Sequence, residues 1–224
     1  MPRNSLHHNP SIYFSQYREK NDQFTDYFFT NIFWGGAGSK YANQLATVTD
    51  RGFVYLYDTN SRKILFEKNF TKSAINTCAI ELNENGLLAA AGYDGRIYVS
   101  NINSMATSND KKENSDEGLK KFSGHQGVVS CVRFLNSLFM ISASFDSVIL
   151  LWDVNSQGKY VASYHDHSSE VSGLDVAESN GNIFATGSGD TTVKLWDIRE
   201  KKSCVCTFKG SDSSVNCVKF LPGM

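Results

Sequence analysis

His125, Ser142 and Asp146 are the residue types of a nucleophilic triad, in which a hydroxyl attacks, an imidazole takes its proton and a carboxylate orients the imidazole. His167, Thr186 and Asp190 offer the same chemistry a second time. The spacing recurs with the types, because the histidine precedes the aspartate by 21 residues in one set and by 23 in the other. A tryptophan, Trp152 or Trp196, follows six residues after each aspartate. That recurrence argues against catalysis: an active site is needed once, whereas a buried polar network that ties the strands of a sheet together is needed in every copy. Indole N–H, hydroxyl, imidazole and carboxylate can satisfy one another away from water, which makes such a network tolerable in a core. The sets His125, Ser142, Asp146, Trp152 and His167, Thr186, Asp190, Trp196 therefore read as structural, and no catalytic residue is predicted.

Other reactive groups assemble into no site either. GGAG at 35–38 lacks the G-x-x-x-x-G-K-[ST] spacing of a phosphate loop and reads as a turn. The five cysteines are odd in number and contain no C-x-x-C pair, which suggests neither a disulfide framework nor zinc. Cys131 in SCVRF and Cys217 in NCVKF read as buried, reduced thiols within strands. His165 and His167 would share one face of an extended YHDH segment, yet His167 is already assigned to its network. No metal site and no cofactor are expected.

What positions these groups is a repeat. Four segments align without gaps: AINTCAI from Ala74, VVSCVRF from Val128, EVSGLDV from Glu170 and SVNCVKF from Ser214. Each reads as a strand start, with a β-branched second position (Ile75, Val129, Val171, Val215) and a large apolar last one (Ile80, Phe134, Val176, Phe220). A small residue between them, Thr77, Cys131, Gly173 or Cys217, suggests a strand close to a crowded centre. Three segments are followed by a second pattern: LLAAAGYDGRIYVSN, FMISASFDSVILLWD and IFATGSGDTTVKLWD. In each, Asp94, Asp146 or Asp190 stands six residues before the Ser or Trp of a closing dipeptide. QLATVTDRGFVYLYD is a looser, earlier copy with Asp50 and an ending at Tyr57 and Asp58.

The closing positions 58, 101, 153 and 197 are spaced by 43, 52 and 44 residues, which is the length of a four-stranded propeller blade with one insertion. Each unit predicts strand, turn, strand, turn, strand, with the aspartate in the tight turn, where its carboxylate can bond backbone amides. NSMATSNDKKENSDEGLKK, residues 103–121, has no apolar periodicity and reads as a solvated loop.

Composition sets the outer limits. The chain has 224 residues, 41% hydrophobic and 20% charged, as an ordinary globular chain does. A net charge of -1 creates no field that would draw nucleic acid or an acidic membrane surface. No run of about 18 apolar residues offers a membrane span. The expectation is a protein of the cytoplasm with no nucleic-acid partner and no direct membrane insertion.

The GH of SGHQGVV, the turn aspartate and the closing WD at this period resemble the WD-repeat family over roughly residues 45–224. INTCAI with AAAGYDGRIYVSNI, FSGHQGVVSCVRFL, VKLWDIRE and VNCVKFLPG are most similar to the beta subunits of heterotrimeric G proteins. The resemblance implies an all-β WD-repeat propeller, with four to five blades present out of a seven-bladed ring. It implies a non-catalytic signalling protein that binds an alpha subunit and effectors through the narrow propeller face and pairs with a gamma subunit. It also implies peripheral attachment to the inner face of the plasma membrane through those partners. A generic WD-repeat scaffold or adaptor is the alternative.

Carried over position by position, the partner-binding residues are Lys63 and Asn216 by identity, Glu170 by charge, and Tyr93 and Ser214 with changed chemistry. Ala74, Asn76 and Val128 stand where the family places large contact residues. Residues 1–26 read as an extension without a sustained heptad pattern, and residues 27–34 as a strand. Blades are expected to end near 58, 101, 153 and 197, with a further blade starting over 203–224. Four blades and a fraction do not close a seven-bladed ring, so the expectation is a piece of a longer protein.

Overall fold

The computed structural model describes residues 29–34, 41, 43–81, 86–103, 118–156, 158–177, 180–200 and 204–221. Within them, sixteen strands form four antiparallel four-stranded sheets, each built from consecutive strands. The first holds β1 (Phe29–Trp34), β2 (Gln44–Thr49), β3 (Phe53–Asp58) and β4 (Lys63–Asn69). The second holds β5 (Ile75–Ile80), β6 (Leu87–Gly92), β7 (Arg96–Asn101) and β8 (Lys120–Ser123). The third holds β9 (Val129–Phe134), β10 (Phe139–Ser144), β11 (Ile149–Asp153) and β12 (Tyr160–Tyr164). The fourth holds β13 (Val171–Val176), β14 (Ile183–Ser188), β15 (Thr192–Asp197) and β16 (Cys206–Lys209). These sheets are propeller blades.

Burial follows position in the blade. The second strands lie between neighbouring sheets, and LLAAAG of β6 is apolar or small throughout because both of its faces are covered. The outer strand β4 alternates exposed and half-buried residues instead, as a strand with one wet face does. Side chains of adjacent blades form shared cores: Phe122 of β8 packs edge-on against Trp152 of β11 with ring centroids 5.9 Å apart. Tyr164 of β12 meets Trp196 of β15 at 5.5 Å.

The innermost strands carry a repeated irregularity. The pairing register skips Asn76, Ser130 and Ser172, one residue in each of β5, β9 and β13. Such a bulge leaves one residue unpaired and redirects its side chain. The Ser130 hydroxyl uses this freedom to donate to the Val171 carbonyl of the next blade at 2.5 Å. The aspartate turns are alike too. Gly52, Gly95, Ser147 and Thr191 have positive φ and donate from N–H to the carbonyl three residues back, at 3.1–3.2 Å. A type I turn followed by one left-handed residue joins two strands in this way.

Three expectations are corrected. The closing dipeptides end the third strand of each sheet, and the blades run on to Asn69, Ser123, Tyr164 and Lys209. The outer strands mix apolar and polar residues on their exposed faces, Leu65, Val161 and Phe208 among them, and so lack the buried apolar pattern that marked the inner three. Lys120 and Lys121, expected in the solvated loop, lie in β8, while residues 104–117 fall outside the described residues, as does the extension over 1–26. Residues 206–209 are the outer strand of the fourth sheet rather than part of a further blade, and SVNCVKF forms no strand. No described strand stands beside it to complete a ladder, and its Cys217 is exposed rather than buried.

SVNCVKF nevertheless docks on the fourth blade. A Cβ on Gly173 would lie 3.0 Å from the Cα of Cys217, so a side chain there would require the segment to give way by a few tenths of an ångström. Val215 N–H donates to the Ser188 carbonyl at 3.0 Å. Asp175, itself buried, accepts from Lys219 Nζ at 2.7 Å and from Phe220 N–H at 2.8 Å. Arg133, Asp175 and Lys219 share one repeat position on successive segments, which places a carboxylate between two cations. Asp175→Ala should speed amide exchange at Phe220 about tenfold, since a charge-assisted bond contributes about 1.5–3 kcal/mol, and should leave Val215 little changed. Unaltered protection at Phe220 would show that Asp175 does not hold the segment.

Candidate functional site

In the third blade the structure brings His125, Ser142, Asp146 and Trp152 into one chain of hydrogen bonds. Trp152 Nε1–H donates to Ser142 Oγ at 2.8 Å, and His125 Nε2 lies 2.7 Å from the same oxygen. His125 Nδ1 faces the Asp146 carboxylate at 3.1 Å. The fourth blade repeats this with Trp196 Nε1 to Thr186 Oγ1 at 2.8 Å, His167 Nε2 to Thr186 at 2.7 Å and His167 Nδ1 to Asp190 at 2.7 Å. One proton arrangement satisfies every member: indole to hydroxyl oxygen, hydroxyl to Nε2, and Nδ1–H to carboxylate.

The strands position these groups by pleat and register. Trp152 pairs with Met140 and Ser142 with Leu150, so the indole reaches diagonally across two strands to the hydroxyl. The histidine comes from the loop before the inner strand, where Gly124 is required because a Cβ there would lie 2.9 Å from the Trp152 ring. The aspartate oxygens also tie the histidine loop to the turn: Asp146 accepts from Gln126 N–H of that loop at 2.7 Å and from Val148 N–H of its own turn at 3.0 Å, and Asp190 likewise from Ser168 and Thr192 N–H.

These bonds set the charges. Burial opposes ionisation of Asp146, but His125 and the Gln126 and Val148 amides outweigh it and hold the carboxyl far below the ordinary range. Asp190 is held equally low against its burial by the Thr192 hydroxyl, His167 and the Ser168 amide. Burial keeps the His167 imidazole neutral to below its usual pKa despite Asp190 beside it. The Ser142 and Thr186 residues are fully buried and each already accepts an indole N–H, which leaves no approach for a substrate.

The second blade has a network that sequence reasoning missed. Thr71 stands where the histidine would, four residues before Ile75, as His125 stands four before Val129. Ala90 and Ser100 replace the hydroxyl and the indole. Tyr98, two residues before Ser100 and thus on the same strand face, supplies the substitute: its phenol donates to Asp94 at 2.7 Å, and Thr71 donates to the same oxygen at 3.1 Å. Burial, with the Asp94 charge, pushes the Tyr98 phenol up and keeps it a donor. The alternation of side chains along β7 was the available signal.

The partner-binding candidates separate. Tyr93 N–H bonds the Ala74 carbonyl, which puts the β6–β7 turn at the same end of the blade as the start of β5. Tyr93 stands exposed there, Glu170 immediately precedes β13, and Ser214 and Asn216 lie on the docked segment at the corresponding position of the repeat. Lys63 does not join them, because it opens β4 opposite Asp58, at the other end of the first blade. Ala74, Asn76 and Val128 are half-buried, and the Asn76 amide turns toward the Ser130 carbonyl. His165 bonds Ser163 at 3.1 Å while His167 faces its network, so the two histidines of YHDH share no ligand geometry.

Two outcomes are expected. Ser142→Ala leaves a buried indole N–H and an imidazole nitrogen without partners and should lower unfolding free energy in urea by about 2–3 kcal/mol, whereas Ser142→Thr, which copies the fourth blade, should cost far less. Equal effects would contradict the shared-hydroxyl geometry. The folded pKa values of His167, Asp146 and Asp190 all lie below their unfolded ones. Their contribution to stability is therefore complete above about pH 6.5 and is lost as acid is added, first through His167 and then, below about pH 4, through the carboxylates. Melting temperatures that rise on acidification from neutral pH would contradict this sign.

Comparison with known proteins follows the same repeats. The family described as "WD domain, G-beta repeat" matches residues 117–153 and 158–197, the segments that hold the two complete networks. The guanine nucleotide-binding protein subunit beta of Oryza sativa subsp. japonica is 33% identical over 155 residues, covering 66% of this chain and 39% of the relative. The Arabidopsis thaliana subunit is 32% identical over 154 residues, with 66% and 40% covered. That of Solanum tuberosum is 26% identical over 214 residues, with 88% and 55% covered. The chain thus spans from about two fifths to just over half the length of the curated relatives it matches. No helix among the described residues is long and apolar enough to cross a membrane. Blades, networks and sequence agree: residues 117–153 and 158–197 carry WD repeats, and the chain is similar to guanine nucleotide-binding protein beta subunits.

Proposed function

We propose that the chain is a non-catalytic signalling subunit of the G protein beta type, which recognises protein partners on the preformed end of its blades that carries Tyr93, Glu170, Ser214 and Asn216. The observation that carries this reading is the coincidence of two features: the sequence similarity to guanine nucleotide-binding protein beta subunits, and hydroxyl, imidazole and carboxylate groups that are used up inside the blades. What the repeat leaves for function is its surface. A rigid scaffold loses little conformational entropy on binding, which favours recognition by a preformed face.

In this reading an alpha subunit holds the nucleotide and covers the face, and its release on activation exposes the same face to effectors. A gamma subunit pairs elsewhere, and Lys63 contributes from the side of the first blade. The protein works in the cytoplasm, at the inner face of the plasma membrane, through lipid carried by its partners. Nucleic acid and cofactors take no part.

Ala74, Asn76 and Val128 favour a second reading, a WD-repeat scaffold for other complexes, because small or polar residues there cannot act as large buried anchors. The two readings differ in nucleotide dependence. Retention on an immobilised alpha subunit loaded with GDP, and loss on its activation, is the result expected of the first. Binding partners that ignore nucleotide state would leave only the scaffold.

A further inference from the structure

The end of the blades that carries Tyr93 carries a second exposed aromatic that the repeat does not require. Tyr93 and Phe145 each precede the turn aspartate of their blade, where the fourth blade has Gly189. They are 61% and 50% exposed. The two turns meet over one loop. A Cβ on Gly95 would lie 2.9 Å from the His125 carbonyl oxygen and 3.2 Å from that of Gly127, and a Cβ on Gly127 would lie 2.9 Å from Asp146 N and 3.4 Å from the Phe145 carbonyl carbon. Gly127 is therefore wedged between the two aromatic-bearing turns.

The charges around this pair point in opposite directions. Asp94 turns inward to Thr71 and Tyr98, and Asp146 to His125 and its own turn amides. Lys72, three residues before β5, and Arg96, the first residue of β7, stand exposed with no ion pair to a carboxylate among the described residues. The second and third blades thus present two aromatics outward beside two cations that have no carboxylate partner among the described residues, Arg96 lying against the Tyr98 phenol, while the turn aspartates Asp94 and Asp146 are engaged beneath.

From this juxtaposition the geometry points to a docking site for a protein segment that offers an apolar or aromatic side chain flanked by Asp or Glu. The apolar side chain would lie between Tyr93 and Phe145, and the carboxylates would face Lys72 and Arg96. A basic segment would meet like charge, which costs affinity and selects against it. The inference rests on the proposed partner face and narrows it to the second and third blades.

The test uses the full chain and short synthetic peptides with a central Phe or Leu and flanks that are acidic, neutral or basic, measured by fluorescence anisotropy. Acidic-flanked peptides should bind best, and their binding should weaken as salt screens the contact. Tyr93→Ser with Phe145→Ser, and separately Lys72→Glu with Arg96→Glu, should each weaken it about tenfold or more. All four positions are exposed, and unchanged circular dichroism melting verifies the fold of each variant. Binding that survives both double variants but is lost in Glu170→Ala with Asn216→Ala would overturn this site while leaving the partner face in place. Binding indifferent to every variant would remove both. No preference for acidic flanks would overturn the inference on its own.

Discussion

A single buried hydroxyl in each complete blade accepts the tryptophan indole and meets the histidine, and the rest of the blade is arranged around it. Ser142 and Thr186 occupy the second strand, the indole comes from the third, and the imidazole comes from the loop leading into the first. Three segments remote in sequence are thereby locked by groups that would each be costly to bury alone. The imidazole passes the constraint to the turn aspartate, whose oxygens also fix the left-handed residue after it. The indole passes it the other way, into the aromatic contacts between adjacent blades.

The second blade shows that the constraint is chemical rather than tied to residue identity. It keeps the aspartate and replaces three partners by two, with Tyr98 and Thr71 closing on Asp94. A phenol and an alcohol donate without titrating near neutral pH, unlike an imidazole. Acid therefore acts on the fourth blade through an imidazole, His167, that the second blade lacks.

Sequence made the inner architecture legible because its signals are local. The β-branched strand starts at Ile75, Val129 and Val171, the turn aspartates and the closing WD pairs repeat at fixed spacing, so three strands of each blade and both complete networks could be read directly. The outer strands were hidden because KKFS of β8 and CTFK of β16 are short, with only Phe122 buried between them and no apolar alternation to mark them. Asp175 was missed because its partners lie 44 and 45 residues away, and only the charge sequence Arg133, Asp175, Lys219 at one repeat position hinted at the contact. SVNCVKF carries the pattern of a strand and is not one here, since a ladder needs a neighbour as well as a propensity. Lys63 matched the resemblance yet lies at the other end of its blade from Tyr93, because equivalence in sequence does not fix position on a face.

The protonation of the two network histidines tests this account most directly. With the hydroxyl donating to Nε2 and Nδ1–H donating to the aspartate, nitrogen-15 NMR at neutral pH should find both His125 and His167 protonated at Nδ1 and bare at Nε2. A proton on Nε2 of either ring would mean that the hydroxyl does not donate to it. The repeated chain from indole to carboxylate would then not be the interaction that holds the blades.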